Sequence, residues 1–276
     1  MMTRAADAAT RIVLTGSRAV ARFRQRLQLT ARGMWLLFLA AGAVLAAAVV
    51  LAGVTEDVEQ QNGAAISDPK HLRLFIDHRP SWLIDAARTI TSIGAAPVLG
   101  VLAVVAAGAL WWRGERLVVA IAPGVSLGCV GVAVAVAKQL VGRARPDLEM
   151  RLVSDNEASF PSGHAADSSA LFIALALVIA AVVLRRPIAR LLTLSAALLG
   201  SGLIGLSRLV LAAHWPTDVI AGWALGLFTA VIVGCAAVLA AGMAPPDPDQ
   251  AHRLRAWCCA LLFARRRGLA MGVLVH

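Results

Sequence analysis

Six long apolar runs alternate with shorter polar segments along the chain of 276 residues. A helix needs about 20 mainly apolar residues to cross the hydrocarbon core of a bilayer, and each run reaches about that length. Because backbone N–H and C=O groups cannot stay unpaired in lipid, such runs are expected to be helices. The pattern therefore predicts an all-α fold, an integral membrane bundle of six transmembrane helices over Met34–Val54, Ala95–Trp112, Leu117–Ala137, Ala165–Leu184, Leu191–Ser207 and Val219–Met243.

Arginine residues concentrate in alternate polar segments. The tail of residues 1–33 holds seven Arg against one acidic residue, and Arg also marks the second and fourth connections and the tail of residues 244–276. By the positive-inside rule these segments face the cytoplasm. The prediction is a cytoplasmic N-terminal tail (1–33), a membrane domain (34–243) and a cytoplasmic C-terminal tail (244–276). The first connection (55–94) then faces outward, and its apolar spacing predicts short interfacial helices.

The composition excludes a soluble protein and argues against a nucleic-acid partner. Hydrophobic residues make up 59% of the chain, whereas soluble domains are about 45–50% apolar. The net charge is +10, but the basic residues lie in short segments between apolar runs and are not interleaved with aromatic residues as a surface for bases. Membrane lipids are the expected partners, and the sequence assigns no oligomeric state.

Two glycine pairs lie within the apolar runs at a spacing of four residues. Gly124 precedes Gly128 in the third run, and Gly222 precedes Gly226 in the sixth. Small residues at this spacing let the backbones of two membrane helices approach closely. Close helix packing is therefore expected at both pairs.

Three fragments at the ends of apolar runs all fall on the predicted outer side, within a motif region of residues 138–218. They are Lys138–Pro146 (KQLVGRARP), Pro161–His164 (PSGH) and Ser207–Asp218 (SRLVLAAHWPTD). Together they supply two histidines, a Ser-Gly turn, a carboxylate and the three candidate phosphate-binding cations Lys138, Arg145 and Arg208. This set suits phosphoryl transfer, in which catalysis is mostly positioning and neutralisation of charge on the transferred group.

The first fragment is expected to continue the third helix. Lys138 and Arg145 are seven residues apart, so a helix that ran on to Pro146 would place both on one face. Arg143 lies off that face, and it is expected to extend to lipid headgroups.

The other two fragments supply the remaining chemistry. A Ser162-Gly163 turn at a helix N-terminus presents N–H groups that bind phosphate oxygens, with His164 following. Asp218 can hold the Nδ1–H of His214, which leaves Nε2 free as a nucleophile. The structural alternatives are a simple N-cap role for Ser162 and a favourable helix-dipole interaction for Asp218.

The order and spacing of these motifs resemble the signature of the type-2 phosphatidic acid phosphatase and haloperoxidase superfamily. The motifs are Lys-x6-Arg-Pro, Pro-Ser-Gly-His and Ser-Arg-x5-His-x3-Asp. Two positions depart from the common pattern, since Ala212 stands where a glycine is frequent and Val210 where an aromatic residue is frequent. The resemblance covers roughly residues 31–243, because it includes the layout of six helices.

The resemblance implies a role for each motif residue. His214 would attack phosphorus to give a phosphohistidine, Asp218 would orient it, and His164 would protonate the leaving group. The phosphate oxygens would be held without any metal or cofactor by Lys138, Arg145, Ser162, Gly163 and Arg208.

The expected function is a metal-independent phosphatase with its site at the outer membrane face. Its expected substrate is a lipid phosphate or diphosphate of the polyprenyl diphosphate, phosphatidic acid or phosphatidylglycerol phosphate type. One alternative is a phosphotransferase that passes the phosphoryl group to a lipid or sugar hydroxyl. Another is a non-catalytic anion-binding or transport protein, although the apolar runs carry almost none of the ionisable residues that mark a transport path.

Overall fold

The computed structural model describes residues 38–154 and 157–243. The chain divides into two compact units, Met1–Leu45 and Ala46–His276. The described part of the first unit, residues 38–45, is helical. The predicted N-terminal tail (1–33) and C-terminal tail (244–276) lie outside the described residues.

The described residues form nine helices and contain no strand, which confirms the all-α prediction. The helices are α1 (Phe38–Gln60), α2 (Gly63–Ile66), α3 (Asp68–Ile76), α4 (Ser81–Ile93), α5 (Ala96–Trp112), α6 (Leu117–Val141), α7 (Gly163–Val182), α8 (Pro187–Val210) and α9 (Pro216–Met243).

Five of these helices are long and apolar enough to cross a membrane, namely α1, α6, α7, α8 and α9. α4 and α5 pass the same test only when taken together, as one candidate span that is bent by 51° between them. The bend lies at Gly94 and Ala95, and Ala95 is extended. Pro97 in the first turn of α5 has no N–H to continue the helix of α4, so the break is built into the sequence.

The first connection is largely helical. α1 runs on to Gln60 instead of ending at Val54, and α2, α3 and α4 fill most of the residues from 63 to 93. α3 and α4 contact the C-terminal part of the bundle through α8, and α3 also contacts α9. This connection therefore packs against the bundle at the end where the predicted motifs lie.

α7 is the central helix and packs against α5, α6, α8 and α9. Its contact with α9 is especially close, since a Cβ added at Gly222 would lie 2.6 Å from the carbonyl oxygen of Ser162. A Cβ at Gly226 would lie 2.4 Å from the carbonyl oxygen of Ala166. The expected close packing is therefore present at this glycine pair.

The other glycine pair behaves differently. A Cβ added at Gly124 would make only ordinary contact at 3.8 Å with Ala103, and a Cβ at Gly128 would meet nothing within 4 Å. The expectation of close packing was wrong for this pair, because Gly128 lies on an exposed face of α6.

Candidate active site

The first motif begins in the last turn of α6 and leaves the helix sooner than expected. Gly142 ends α6 in the left-handed conformation, with φ of 60°, and its N–H donates to the carbonyl of Lys138 at 3.0 Å. Such a glycine terminates helices without the steric cost that other residues pay. The prediction that α6 continues through Arg145 to Pro146 was therefore wrong, and Lys138 and Arg145 do not share a helical face.

Glu157 joins Lys138 to Arg145 instead. The Nζ of Lys138 lies 2.6 Å from Oε2 of Glu157, and Nε of Arg145 donates to the Glu157 carbonyl at 2.8 Å. A carboxylate thus holds a motif lysine at the place predicted to receive phosphate. No motif in the sequence points to Glu157.

Arg145 also reaches the second motif histidine. Its Nη1 donates to the carbonyl of Ala213 at 2.8 Å and lies 3.3 Å from Nε2 of His214. The loop between α8 and α9 presents these groups with Ala212 in the left-handed region, at φ of 51°. Glycine adopts that conformation readily, which gives a backbone reason for the glycine frequent at this position in the resembling family.

His214 and Asp218 form a buried pair. Nδ1 of His214 lies 3.5 Å from Oδ2 of Asp218, and the two side chains are 2% and 0% exposed. The same Oδ2 accepts hydrogen bonds from the backbone N–H of Trp215 at 2.9 Å and from the hydroxyl of Ser159. Asp218 therefore contacts both the imidazole of His214 and the N–H group at the start of α9.

Burial keeps the His214 imidazole neutral. Burial lowers the pKa of His214 to about 4, an effect opposed by Asp218 and reinforced by the positive charges of Arg145 and Arg208. At neutral pH the ring therefore holds a single proton, which belongs on the Nδ1 side facing Asp218. Nε2 then carries the lone pair and accepts from Nη1 of Arg145 at 3.3 Å.

Arg208 lies at the end of α8 and is 2% exposed. Its Nη1 donates to the hydroxyl of Thr91 in α4 at 3.0 Å. The bend between α4 and α5 also contacts the site, since a Cβ added at Gly94 would lie 3.3 Å from the ring of His164. The first connection thus places Thr91 and Gly94 beside two motif residues, and no sequence motif pointed to either of them.

The N-terminus of α7 carries the Pro-Ser-Gly-His motif. Ser162 is the N-cap residue, but its side chain makes no capping hydrogen bond. Its hydroxyl is buried and has no hydrogen-bond partner among the described residues. Ser162 N–H donates to the carbonyl of Asp218 at 3.0 Å, which ties α7 to the start of α9. The unused hydroxyl favours the phosphate-binding role over the simple N-cap role, with Gly163 and His164 in the first turn that follows.

Arg143 does not extend to lipid headgroups, so that expectation was wrong. Its Nη2 lies 2.6 Å from Oδ2 of Asp68, and its Nη1 lies 2.6 Å from Oδ1 of Asp218. Because α6 ends at Gly142, Arg143 is free to turn inward, where two buried carboxylates neutralise it. Asp68 appeared in the sequence only as one of several acidic residues in the first connection.

The structure therefore brings most of the predicted residues to one end of the bundle. Arg145, His214, Asp218 and Ser162 are linked by the contacts above, and Arg208 lies close enough to influence the charge state of His214. Lys138 joins them through Glu157. A neutral imidazole, several cations and an unused buried hydroxyl can together bind a phosphate group and attack it.

Comparison with known families finds a match over the segment that contains this site. The family model described as "PAP2 superfamily" matches residues 119–240. Phosphatidylglycerophosphatase B of Bacillus subtilis is 27% identical over 159 residues, which are 56% of this chain and 75% of that protein. Lipid A 1-phosphatase of Rhizobium johnstonii is 35% identical over 108 residues, but the match covers only 34% of this chain and 40% of that protein.

A solved structure shares the fold. It is a transmembrane PAP2-type phosphatidylglycerolphosphate phosphatase from Bacillus subtilis, with a TM-score of 0.61 and 25% identity. The superposition covers 70% of this chain and 93% of that one, so the described spans belong to an integral, multi-pass membrane protein. The segment that the PAP2 superfamily model matches, residues 119–240, contains all three motifs.

Proposed function

We propose that this chain is a membrane phosphatase that hydrolyses lipid phosphates or diphosphates through a phosphohistidine. The observation that carries the proposal is the setting of His214. Its Nδ1 faces a buried carboxylate at 3.5 Å, and its Nε2 lies 3.3 Å from the guanidinium of Arg145. A neutral imidazole whose free nitrogen faces a cation is placed to attack an anionic phosphoryl group that the same cation binds.

In the first step, the Nε2 lone pair forms a bond to phosphorus and the bond from phosphorus to the leaving oxygen breaks. The imidazole becomes a cation, and Asp218 stabilises that charge through Nδ1–H. His164 gives its proton to the departing alkoxide or phosphate. In the second step, neutral His164 takes a proton from water as the water attacks phosphorus, and Nε2 leaves.

The equatorial oxygens of the transferred phosphoryl group would be bound by the cations and by the start of α7. Arg145 and Arg208 both lie close enough to His214 for their charges to act on it, and Lys138 joins them when phosphate displaces Glu157. The hydroxyl of Ser162 and the N–H of Gly163 complete the set, because the positive end of α7 favours an anion. These groups neutralise charge that builds up in the transition state.

The substrate class follows from where the site lies. The segment from Arg143 to Pro146 directly follows the apolar helix α6, and His214 lies between the apolar helices α8 and α9. A phosphate bound there therefore stays at the level of the lipid headgroups. The named activities of the relatives, on phosphatidylglycerophosphate and lipid A, support a lipid carrying a phosphate group. We assign this end of the bundle to the extracytoplasmic face, on the distribution of Arg along the sequence.

The central test is phosphate release by detergent-purified protein from phosphatidic acid, phosphatidylglycerol phosphate and a polyprenyl diphosphate, with EDTA present. Release should survive EDTA and vanish in His214→Ala. Brief reaction with substrate carrying a radioactive phosphoryl group should label the protein with an acid-labile, base-stable adduct, as a phosphoramidate requires. Release near wild-type levels from His214→Ala would exclude it as the nucleophile. Transfer to an added alcohol without free phosphate would instead establish a phosphotransferase.

The side of the membrane can be tested by thiol labelling in intact cells with a membrane-impermeant reagent. Leu148 lies in the exposed segment after the first motif, and Arg185 lies exposed in the connection between α7 and α8. In a background with the native cysteines replaced, Leu148→Cys should label from outside and Arg185→Cys only after the cells are opened. The reverse pattern would place the site in the cytoplasm.

A further inference from the structure

A buried chain of three charges runs from α3 to the start of α9, outside the predicted phosphate-binding set. Asp68 in α3 is 1% exposed, Arg143 is 16% exposed and Asp218 is 0% exposed. Arg143 bridges the two carboxylates with contacts of 2.6 Å to each. Its guanidinium also lies 5.7 Å from the ring centre of Trp215, the residue that follows His214.

The contacts divide the two oxygens of Asp218 between two tasks. Oδ2 faces Nδ1 of His214 and accepts from Ser159 and from the N–H of Trp215. Oδ1 accepts from Nη1 of Arg143 at 2.6 Å. A carboxylate held by both oxygens cannot rotate, so Arg143 sets the angle at which Asp218 meets the imidazole.

Asp68 holds both Arg143 and the start of α9. Its Oδ1 accepts from the backbone N–H of Thr217 at 3.0 Å, and its Oδ2 accepts from the Thr217 hydroxyl. The N–H of Thr217 is one of the groups at a helix start that has no partner within the helix. Asp68 therefore caps α9 from a distance of 149 residues in sequence while it neutralises Arg143.

We propose that Asp68 and Arg143 are positioning residues of the active site, which hold Asp218 and thereby aim the His214 nucleophile. Arg143 then differs in role from Arg145, two residues later, which lies on the Nε2 side where phosphate would bind. The proposal rests on the proposed function of His214 and deepens it. It predicts loss of turnover, and not of phosphate affinity, when the pair is broken.

The variants for the test are Asp68→Asn, Arg143→Gln and Arg143→Lys. The matched control is Asp85→Asn, because Asp85 is an exposed carboxylate that pairs with an arginine on the helix next to α3. With phosphatidylglycerol phosphate as substrate, Asp68→Asn and Arg143→Gln should lower kcat at least tenfold and change KM less than threefold. Arg143→Lys should recover part of kcat. The inhibition constant of inorganic phosphate should stay within threefold of wild type.

The titration of the His214 imidazole can be followed by NMR in histidine-labelled protein. It reports on the surroundings of His214 independently of turnover. The charged groups that face this ring are Asp218, Arg145 and Arg208. Removing the positive charge of Arg143 should shift the titration to higher pH, and removing the negative charge of Asp68 should shift it to lower pH. If the pair had only a structural role, the two variants would not shift the His214 titration in opposite directions.

Three outcomes would overturn the proposal. They are wild-type kcat in Asp68→Asn, a tenfold rise in KM at unchanged kcat in Arg143→Gln, and a His214 titration that is the same in all variants. Should Asp68→Asn fail to fold, the kcat, KM and His214 titration of Arg143→Gln still decide the matter. A wild-type protein that released no phosphate from any lipid would refute the proposed function, while the His214 titration would still test the positioning.

Discussion

The glycine pair of α9 allows α7 and α9 to pack closely beside the candidate active site, and adding one methyl group there should be measurably harmful. A Cβ at Gly222 would lie 2.6 Å from the Ser162 carbonyl oxygen and 2.9 Å from Cβ of Ala165. A carbon and an oxygen that do not bond to each other normally stay more than about 3.2 Å apart. In Gly222→Ala, the start of α7 must therefore move by roughly half an ångström or more relative to α9.

This displacement has a cost in both stability and rate. Extra atoms in a well-packed interior typically lower the free energy of unfolding by about 1–3 kcal/mol. A loss of about 1 kcal/mol lowers the melting temperature of a protein of this size by about 2–4 °C. The same shift separates Ser162 from Asp218, which are now joined by a backbone hydrogen bond of 3.0 Å. A misplacement of about 1 Å at a catalytic centre can cost about 100-fold in rate, so a tenfold loss of kcat/KM is expected.

The matched control is Gly128→Ala, also a glycine within a membrane helix. A Cβ at Gly128 meets nothing within 4 Å, and alanine favours a helix over glycine by up to about 1 kcal/mol. Thermal unfolding in detergent and phosphate release should therefore show Gly128→Ala equal to wild type or slightly more stable. Gly226→Ala, whose clash at 2.4 Å is with Ala166 one turn further from the site, should lose stability with a smaller loss of kcat.

The reasoning fails if Gly222→Ala keeps wild-type stability and activity. It fails equally if Gly128→Ala is as harmful as Gly222→Ala, because the effect would then come from glycine itself and not from the contact between α7 and α9.

Three further predictions concern the site itself. Because the pKa of His214 is about 4 in the folded protein and about 6.5 when unfolded, only the unfolded state gains its proton between these values. The free energy of unfolding therefore decreases as pH falls below 6.5, by up to about 3 kcal/mol near pH 4. Thermal unfolding of the wild type should accordingly be more sensitive to acid than that of His214→Gln. Glu157→Gln should lower KM several-fold at unchanged kcat, since phosphate no longer competes with a carboxylate on Lys138, and a raised KM would contradict this. Ala212→Gly should raise stability by up to about 1 kcal/mol because φ at this position is 51°, and a fall in melting temperature would refute that assignment of strain.

The helices could be predicted because lipid allows few alternatives. A long apolar run must be a helix, and α6, α7, α8 and α9 lie close to the predicted runs. The bend before α5 could not be foreseen in the same way. α4 carries charged residues on one face, so its sequence indicates an interfacial helix and does not show that it continues toward α5.

The site could be predicted only in part, and the reason is sequence separation. Motif residues that are close in sequence could be recognised from their spacing, as Ser162 and His164 were. Asp68, Ser159 and Thr91 act on partners 149, 59 and 117 residues away, and each is an ordinary residue type in its local context. Their importance arises from burial and from contacts that form only when the bundle is assembled.

The error at the end of α6 shows how one backbone conformation decides several roles. A helix through Pro146 would have placed Lys138 and Arg145 on one face and sent Arg143 toward lipid. Gly142 ends the helix in the left-handed conformation, and the irregular segment that follows lets two arginines approach His214 from opposite sides. Arg143 holds the carboxylate that faces Nδ1, and Arg145 lies beside Nε2. A single glycine thus lets one short segment place a cation on the carboxylate beside Nδ1 and another beside Nε2, the arrangement that the proposed mechanism needs.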